Sequence, residues 1–402
     1  MSEQTELPTF PMERGKCPFD PPPQYGELRE KEPVSQATLR NGSTAWLVTS
    51  HEHVRQILAD PRVSSDRQLP GCPRLIPVPP AMMNPSSRPL VAMDPPEHTE
   101  HRRMVTAEFT VKRVQGMRPR IQEIVDEHID KMLAGDGPAD LVDALARPVP
   151  SLVICELLGV PYERHHDFHR ISEVIVHGDS TPPMVGAAIM ELRAFLGELV
   201  ASKEEAPGED LLSRLVVRYQ ETGEYDRERV ISTAQILLNA GHETTTSMIG
   251  LGTLALLEHP EQLALLQNDP SLIPGAVDEL LRYLSIADMA TFRTATEDIE
   301  IAGTVIPAGE GLIALGAAAN RDSSVFPDAD TLDVRRHPRQ HVAFGYGIHQ
   351  CLGQNLARLE LEIVFTTLLR KAPGLKLAAP LESLRFRSDG LLYGIYSLPV
   401  TW

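Results

Sequence analysis

From Glu97 onward, apolar residues recur at three- and four-residue intervals, the spacing of amphipathic helices. The longest such stretch begins near Asp226 and is halted by Pro260, which predicts a helix of about 33 residues, roughly 50 Å long. Around Ile236–Ala240 it is apolar on most sides, so a central position is expected. Another helix is expected from Pro274, a favourable first-turn residue, and carries Glu279 and Arg282. The last major helix is expected from Leu352 to Lys371, stopped by Pro373-Gly374. Strand patterns are short. Ala37–Arg40, Asn41-Gly42 and Ser43–Thr49 predict a hairpin, because Asn-Gly accepts the positive φ angles of its turn. Ile299–Ile301 and Thr304–Ile306 predict a second small pair, and the apolar run Gly311–Ala319 reads as buried strand or core. The fold class is therefore mainly α with small β-sheets. No internal repeat, low-complexity linker or domain boundary interrupts it.

Composition changes this picture in one place. The chain has 34 prolines in 402 residues, and nine of them fall between Asp66 and Pro96. That segment cannot be a regular helix and is too long for an ordinary connector, so a functional loop or lid is expected there. Residues 1–36 read as a proline-rich segment with one helix, packed on the rest. Charge is ordinary in amount but acidic in balance, −17 overall, which argues against nucleic-acid or anionic-membrane partners. No apolar run approaches the ~18 residues of a membrane span, and residues 1–20 lack the pattern of a secretory leader. Cys17, Cys72, Cys155 and Cys351 lie far apart, so reduced thiols in the cytoplasm are expected.

Three motifs stand out. In Phe344-Gly345-Tyr346-Gly347-Ile348-His349-Gln350-Cys351-Leu352-Gly353, glycines flank one cysteine just before a helix. Glycine permits close approach by a flat ligand, and free amides at a helix start stabilise a thiolate. A lone thiolate there suits an axial position on haem iron, although a buried cysteine in a glycine-rich turn has the same local pattern. Ala240-Gly241-His242-Glu243-Thr244-Thr245 places a glycine, an acid and a threonine inside the long helix, where a threonine bonding back to the preceding turn could distort the ladder into a bulge. Glu279-Leu280-Leu281-Arg282 puts opposite charges on one helical face.

Together these motifs, in this order and over roughly Pro11 to Trp402, resemble the cytochrome P-450 family of soluble bacterial haem-thiolate monooxygenases. Cys17–Pro23 and Ala240–Thr246 look most like the actinomycete members. The resemblance implies the P-450 fold, a single haem domain over residues 1–402 with the long helix above a haem b, and Cys351 as the iron ligand, with Phe344, Gly345 and Gly241 among the haem contacts. It implies His98, Arg102, Arg293 and His349 against the two propionates. Glu243 and Thr244 become the catalytic pair that delivers protons to bound oxygen. Glu279 and Arg282 become a structural pair completed by Arg336, with Arg335 the alternative.

The implied reaction is monooxygenation: one atom of O2 enters an apolar small molecule, such as a polyketide, terpenoid or sterol-like substrate, and the other becomes water. Epoxidation or oxidative coupling on the same fold, and a non-catalytic haem sensor or carrier, are the alternatives. No flavin or nicotinamide domain is expected, so electrons would come from a ferredoxin and its NAD(P)H-dependent reductase. A monomer is expected. Residues 98–120 carry six basic groups against two acidic ones, and 121–145 carry one against seven. A ferredoxin dock is therefore expected at Lys112 and Arg113, with Arg339 or Arg358. By the same resemblance, parts of 76–91 and 168–185, with Leu237, Leu238, Ala240, Gly241, Ile286–Thr291 and Leu391-Leu392, would line the substrate pocket. Asp288 is left open there, as a polar anchor for substrate or as a loop cap.

Overall fold

The computed structural model describes residues 7–75, 88–176, 181–223, 225–388 and 391–402. The centre of the proline-rich segment, 76–87, lies outside the described residues, and so does 177–180 of the pocket region. The chain forms two compact units whose segments interleave along the sequence: 1–80, 259–351 and 388–394 make one, and 81–258, 352–387 and 395–402 make the other.

The first unit is built on a six-stranded sheet. Its order is Thr9–Phe10, Val34–Leu39, Thr44–Val48, Gly311–Ala314, Phe292–Ala295 and Val63–Ser64. The expected hairpin forms around Asn41-Gly42, but its first strand begins at Val34, which is buried and pairs with Val48. Successive residues alternate between the two faces: Trp46 and Val48 pack with Val54, Ile57 and Leu312, whereas Ala45 and Leu47 pack with Phe10, Tyr25 and Ile313. Both faces are thus covered, which explains why Gly311–Ala314 is apolar without alternation. The apolar run 311–319 does not continue as strand. It passes through Leu315 into a short helix, Gly316–Ala319. The pair Ile299–Ile301 and Thr304–Ile306 forms as the sequence predicts.

The helix Ile273–Leu284 supplies the polar centre of this unit. Glu279 and Arg282 are both 0% exposed and meet through two hydrogen bonds, of 2.7 and 2.8 Å. Arg282 also donates to the carbonyls of Asn320 (2.8 Å) and Ala329 (2.7 Å). Arg336 is the third member, with Nε 3.1 Å from Glu279 Oε1, while Arg335 is exposed. A buried charge pair is tolerated when every donor and acceptor is engaged, and here the carboxylate further accepts from the Asp333 N–H.

The second unit is mainly helical, and its strands include the three-stranded sheet of Lys376–Leu377, Pro399–Thr401 and Ala139–Asp140. Its axis is the helix Arg227–Glu258, 32 residues of unbroken α geometry. It packs against the helices Pro148–Leu158, Pro182–Glu205 and Gln354–Lys371. Val230, Ala234, Leu238, Ile249 and Leu254 are all buried, in keeping with the central position expected from its apolar circumference. Gln354–Lys371 begins two residues later than expected, with Gly353 at its N-cap, and ends before Pro373-Gly374.

Candidate functional site

In the first unit, the cysteine loop is shaped by its own backbone. Gly345 donates to the Val342 carbonyl (2.8 Å), Gln350 to Gly347 (3.1 Å) and Cys351 to Phe344 (2.8 Å). The last of these closes a ring from Phe344 to Cys351, so the thiol position follows from the loop's length. Gly347 has φ 72°, and a Cβ there would lie 2.3 Å from the Leu58 carbonyl oxygen, so this position admits only glycine. Leu58 belongs to the helix His51–Ala59, whose start is capped by the Ser50 side chain. From the same helix, Arg55 lies over the Tyr346 ring at 4.4 Å and donates to its hydroxyl at 3.0 Å. The loop is thus braced by an element almost three hundred residues away in sequence. Its other flank is tied to the Glu279 helix and its neighbours: Val342 N–H donates to Asn320 (2.8 Å), and His341 Nε2 lies 3.2 Å from Asp278.

Two further expected residues stand in this unit. Arg293, on the strand Phe292–Ala295, is half-buried and donates to the Phe292 carbonyl (2.8 Å). His349 closes the single turn Gly347–His349 beside Cys351. Asp288 is resolved as a cap: its Oδ1 accepts from the Ala317 N–H at 2.7 Å, and Tyr25 bonds its carboxyl. Burial raises its affinity for a proton, which the Ala317 and Tyr25 hydrogen bonds oppose.

The remaining residues belong to the second unit. His98 (1% exposed) and the half-buried Arg102 lie one turn apart on the helix Glu97–Thr106. That helix is held by His101 Nδ1, 3.0 Å from the Tyr219 hydroxyl, and by an ion pair between Arg88 and Glu97.

In the long helix, Thr244 donates to the Ala240 carbonyl at 2.5 Å, the back-bond expected from its sequence context. The expected bulge is absent: the threonine adds a bond to the ladder without displacing one, and the helix stays α throughout. Gly241 has a packing reason as well, since a Cβ there would sit 2.6 Å from Cδ1 of Ile154 on the neighbouring helix. Glu243 and Thr244 do not meet. The Glu243 carboxylate instead pairs with Arg387 at 2.7 Å. Arg387, on the strand Phe386–Arg387, also donates to the Ser247 hydroxyl at 3.1 Å. Burial pushes the Glu243 carboxyl up, and the Arg387 charge pulls it back down. Sequence reasoning missed both partners. Ser247 carries a signal, four residues from Glu243 on one helical face; Arg387 carries none, because no local spacing links it to position 243.

This donor set fits a haem. Cys351 stands half-buried in a loop narrowed by glycine and followed by a helix. Burial raises the other three thiols, Cys17, Cys72 and Cys155, which keeps them protonated. Arg293 and His349, in the same unit as Cys351, are cationic and hydrogen-bonding groups of the kind that propionates need.

Comparison with known proteins gives the same answer. The pattern of the family described as Cytochrome P450 matches residues 184–372. The chain is 50% identical to cytochrome P450 105A3 of Streptomyces carbophilus over 99% of its own length and 96% of that protein. It is 48% identical to vitamin D3 dihydroxylase of Streptomyces griseolus, over 100% and 98% of the two chains. The crystal structure of cytochrome P450 MoxA from Nonomuraea recticatena superimposes with a TM-score of 0.93 at 50% identity, covering 99% of this chain and 98% of that one. With its mainly helical fold, cysteine loop and buried Glu279–Arg282–Arg336 cluster, the chain belongs to the cytochrome P450 family of haem-thiolate monooxygenases.

Proposed function

We propose that this chain holds one haem b within a single functional domain, and hydroxylates an apolar small molecule in the cytoplasm as a monomer. The observation that carries the site assignment is the loop closed by the Cys351-to-Phe344 hydrogen bond, which presents one thiol beside glycine and ahead of a helix. Cys351 is the iron ligand. His98, Arg102, Arg293 and His349 neutralise and orient the propionates. When bound, the haem supplies O2 activation, with thiolate ligation favouring O–O cleavage.

The protein's own part is positioning and proton supply. Glu243 holds a proton at its carboxyl and passes it to the Thr244 hydroxyl, which is already oriented by the Ala240 carbonyl. Electrons come from a ferredoxin and its NAD(P)H-dependent reductase, docking at Lys112 and Arg113, both exposed. The vitamin D3 dihydroxylase among the relatives supports a large, apolar substrate class such as a sterol-like, terpenoid or polyketide molecule.

The test is the absorption spectrum of the reduced, CO-bound holoprotein. It is expected to show the red-shifted Soret band of thiolate ligation, and to lose it in Cys351→Ala and Cys351→His. Survival of that band in either variant would remove Cys351 from the iron.

A further inference from the structure

The geometry points to Arg387 as a positioning residue for proton delivery: its guanidinium clamps the Glu243 carboxylate beside Ser247, away from Thr244, and must release it each time a proton is passed. This inference rests on the reading of Glu243 and Thr244 as the proton-delivering pair.

The argument starts from the helix. Successive residues are separated by about 100° around the axis, so Glu243 and Thr244 leave the backbone in different directions. The structure uses that divergence. Thr244 is engaged with Ala240 at 2.5 Å, and Glu243 with Arg387 at 2.7 Å. Residue 247, one turn on, returns to the side of 243, and Ser247 takes the second arm of the same guanidinium at 3.1 Å. A planar fork that spans an acid and a hydroxyl has a defined orientation, which a lysine could not reproduce. Arg387 comes from a strand of the C-terminal part of the chain, so the acid's resting position is set from outside its own helix.

Electrostatics gives the clamp its consequence. Glu243 lies where burial favours the neutral acid, and among the described residues Arg387 is the charged group that opposes this. The neighbouring His242 turns the other way, with Nε2 donating to the Arg147 carbonyl at 3.2 Å. A proton donor must both lose and regain its proton. Arg387 stabilises the ionised form, which favours the loss, and holds the carboxylate until it is reprotonated. Without the arginine, the acid would hold its proton more tightly and would lack a fixed station.

The test uses the ferric holoprotein and four variants: Arg387→Met, Arg387→Lys, Glu243→Gln and the double variant Glu243→Gln/Arg387→Met. A parent-like reduced CO spectrum confirms that each is folded and loaded. Infrared difference spectra, assigned by the band lost in Glu243→Gln, follow protonation of Glu243. Its midpoint is expected to rise by about one pH unit or more in Arg387→Met, and to stay near the parent's in Arg387→Lys, which keeps the charge. The second measurement is NAD(P)H consumption and its solvent deuterium isotope effect, with ferredoxin, reductase and 7-ethoxycoumarin as the probe molecule. Arg387→Met is expected to change both, and the double variant to match Glu243→Gln alone, because Arg387 acts through Glu243. An unchanged midpoint in Arg387→Met, or a double variant clearly worse than Glu243→Gln, overturns the inference and leaves the proton-delivery reading standing. If Glu243→Gln itself leaves consumption and isotope effect untouched, that reading fails, and the inference with it.

Discussion

Gly241 separates two reasons for a glycine in the middle of a helix, room for a ligand and room for a neighbouring helix. In Gly241→Ala the new methyl would lie 2.6 Å from Cδ1 and 3.2 Å from Cγ1 of Ile154. Ordinary carbon contacts are about 3.5–4.0 Å, so roughly 1 Å must be found by displacing Ile154 or the helix. Ile154 is 3% exposed and flanked by Val153 and Cys155, both buried, so it has little space to retreat. Two effects compete. Alanine is favoured over glycine in a helix by about 1 kcal/mol, and overpacking a core costs about 1–3 kcal/mol. The expected net loss is therefore about 0–2 kcal/mol, too small in sign to decide by itself. Coupling decides it. Ile154→Val deletes the nearest atom and alone costs about 0.5–1.5 kcal/mol. In the double variant the alanine keeps its helical advantage while the clash is relieved. The pair should therefore be more stable than the sum of its parts by about 1–2 kcal/mol. Urea unfolding of the four holoproteins at one fixed haem concentration, followed by far-UV circular dichroism, measures this. Haem dissociation breaks two-state behaviour, so the comparison belongs to midpoints under identical loading. If the two substitutions add within about 0.5 kcal/mol, Ile154 is not what position 241 accommodates, and the packing argument is refuted.

Three further outcomes follow from the same structure. Glu279→Gln leaves the fully buried Arg282 without its carboxylate and should destabilise the holoprotein by about 3–5 kcal/mol, read as earlier haem release on heating. Arg336→Met should cost less, and Arg335→Met almost nothing, since Arg335 is exposed. Burial alone lifts the Glu360 carboxyl well above the usual carboxylate range, so the folded protein keeps that proton to higher pH than the unfolded chain does. The stability linked to it is full below about pH 4 and is lost as pH rises towards the folded value. Glu360→Gln should thus match the parent near pH 4 and exceed it by a margin growing up to about 1.4 kcal/mol per pH unit above that; a constant margin in urea midpoints refutes it. Lys112→Glu should slow reduction by ferredoxin and weaken its salt dependence, and unchanged stopped-flow kinetics would remove Lys112 from the dock. Lysine is the cleaner probe, because Arg113 lies 3.5 Å from Glu108, a buried acid also bound by Arg214 and Arg218, so reversing Arg113 would disturb packing too.

Legibility in the sequence followed the range of the interactions. Arg227–Glu258, Gln354–Lys371 and the hairpin at Asn41-Gly42 are set by spacing and punctuation a few residues apart, and they were readable to within two or three residues. Arg282 was legible as a partner of Glu279 because the two share one helical face; the choice of Arg336 over Arg335 needed the folded meander. Hidden were the contacts between distant segments. Gly347 looked like a loop glycine, and only the backbone of Leu58 shows why nothing else fits. Asp288, open between substrate anchor and cap, is occupied by Ala317 and Tyr25. Thr244 was correct as a back-bonding residue, yet the bulge inferred from it did not form, because one extra acceptor interaction does not break a helix that is buried along most of its length.

The pairing of Thr44–Val48 with Gly311–Ala314 has a consequence for biosynthesis. A ribosome releases the hairpin early and delivers its parallel partner only after most of the chain. At roughly 5–20 residues per second, that interval is on the order of tens of seconds. During it, one edge of the hairpin has unsatisfied backbone groups and an apolar surface, the combination that recruits foreign strands. Such non-local pairing is also slow to form once both partners exist. Yield in a heterologous host should therefore respond to chaperone supply and growth temperature more than to the stability of the finished protein.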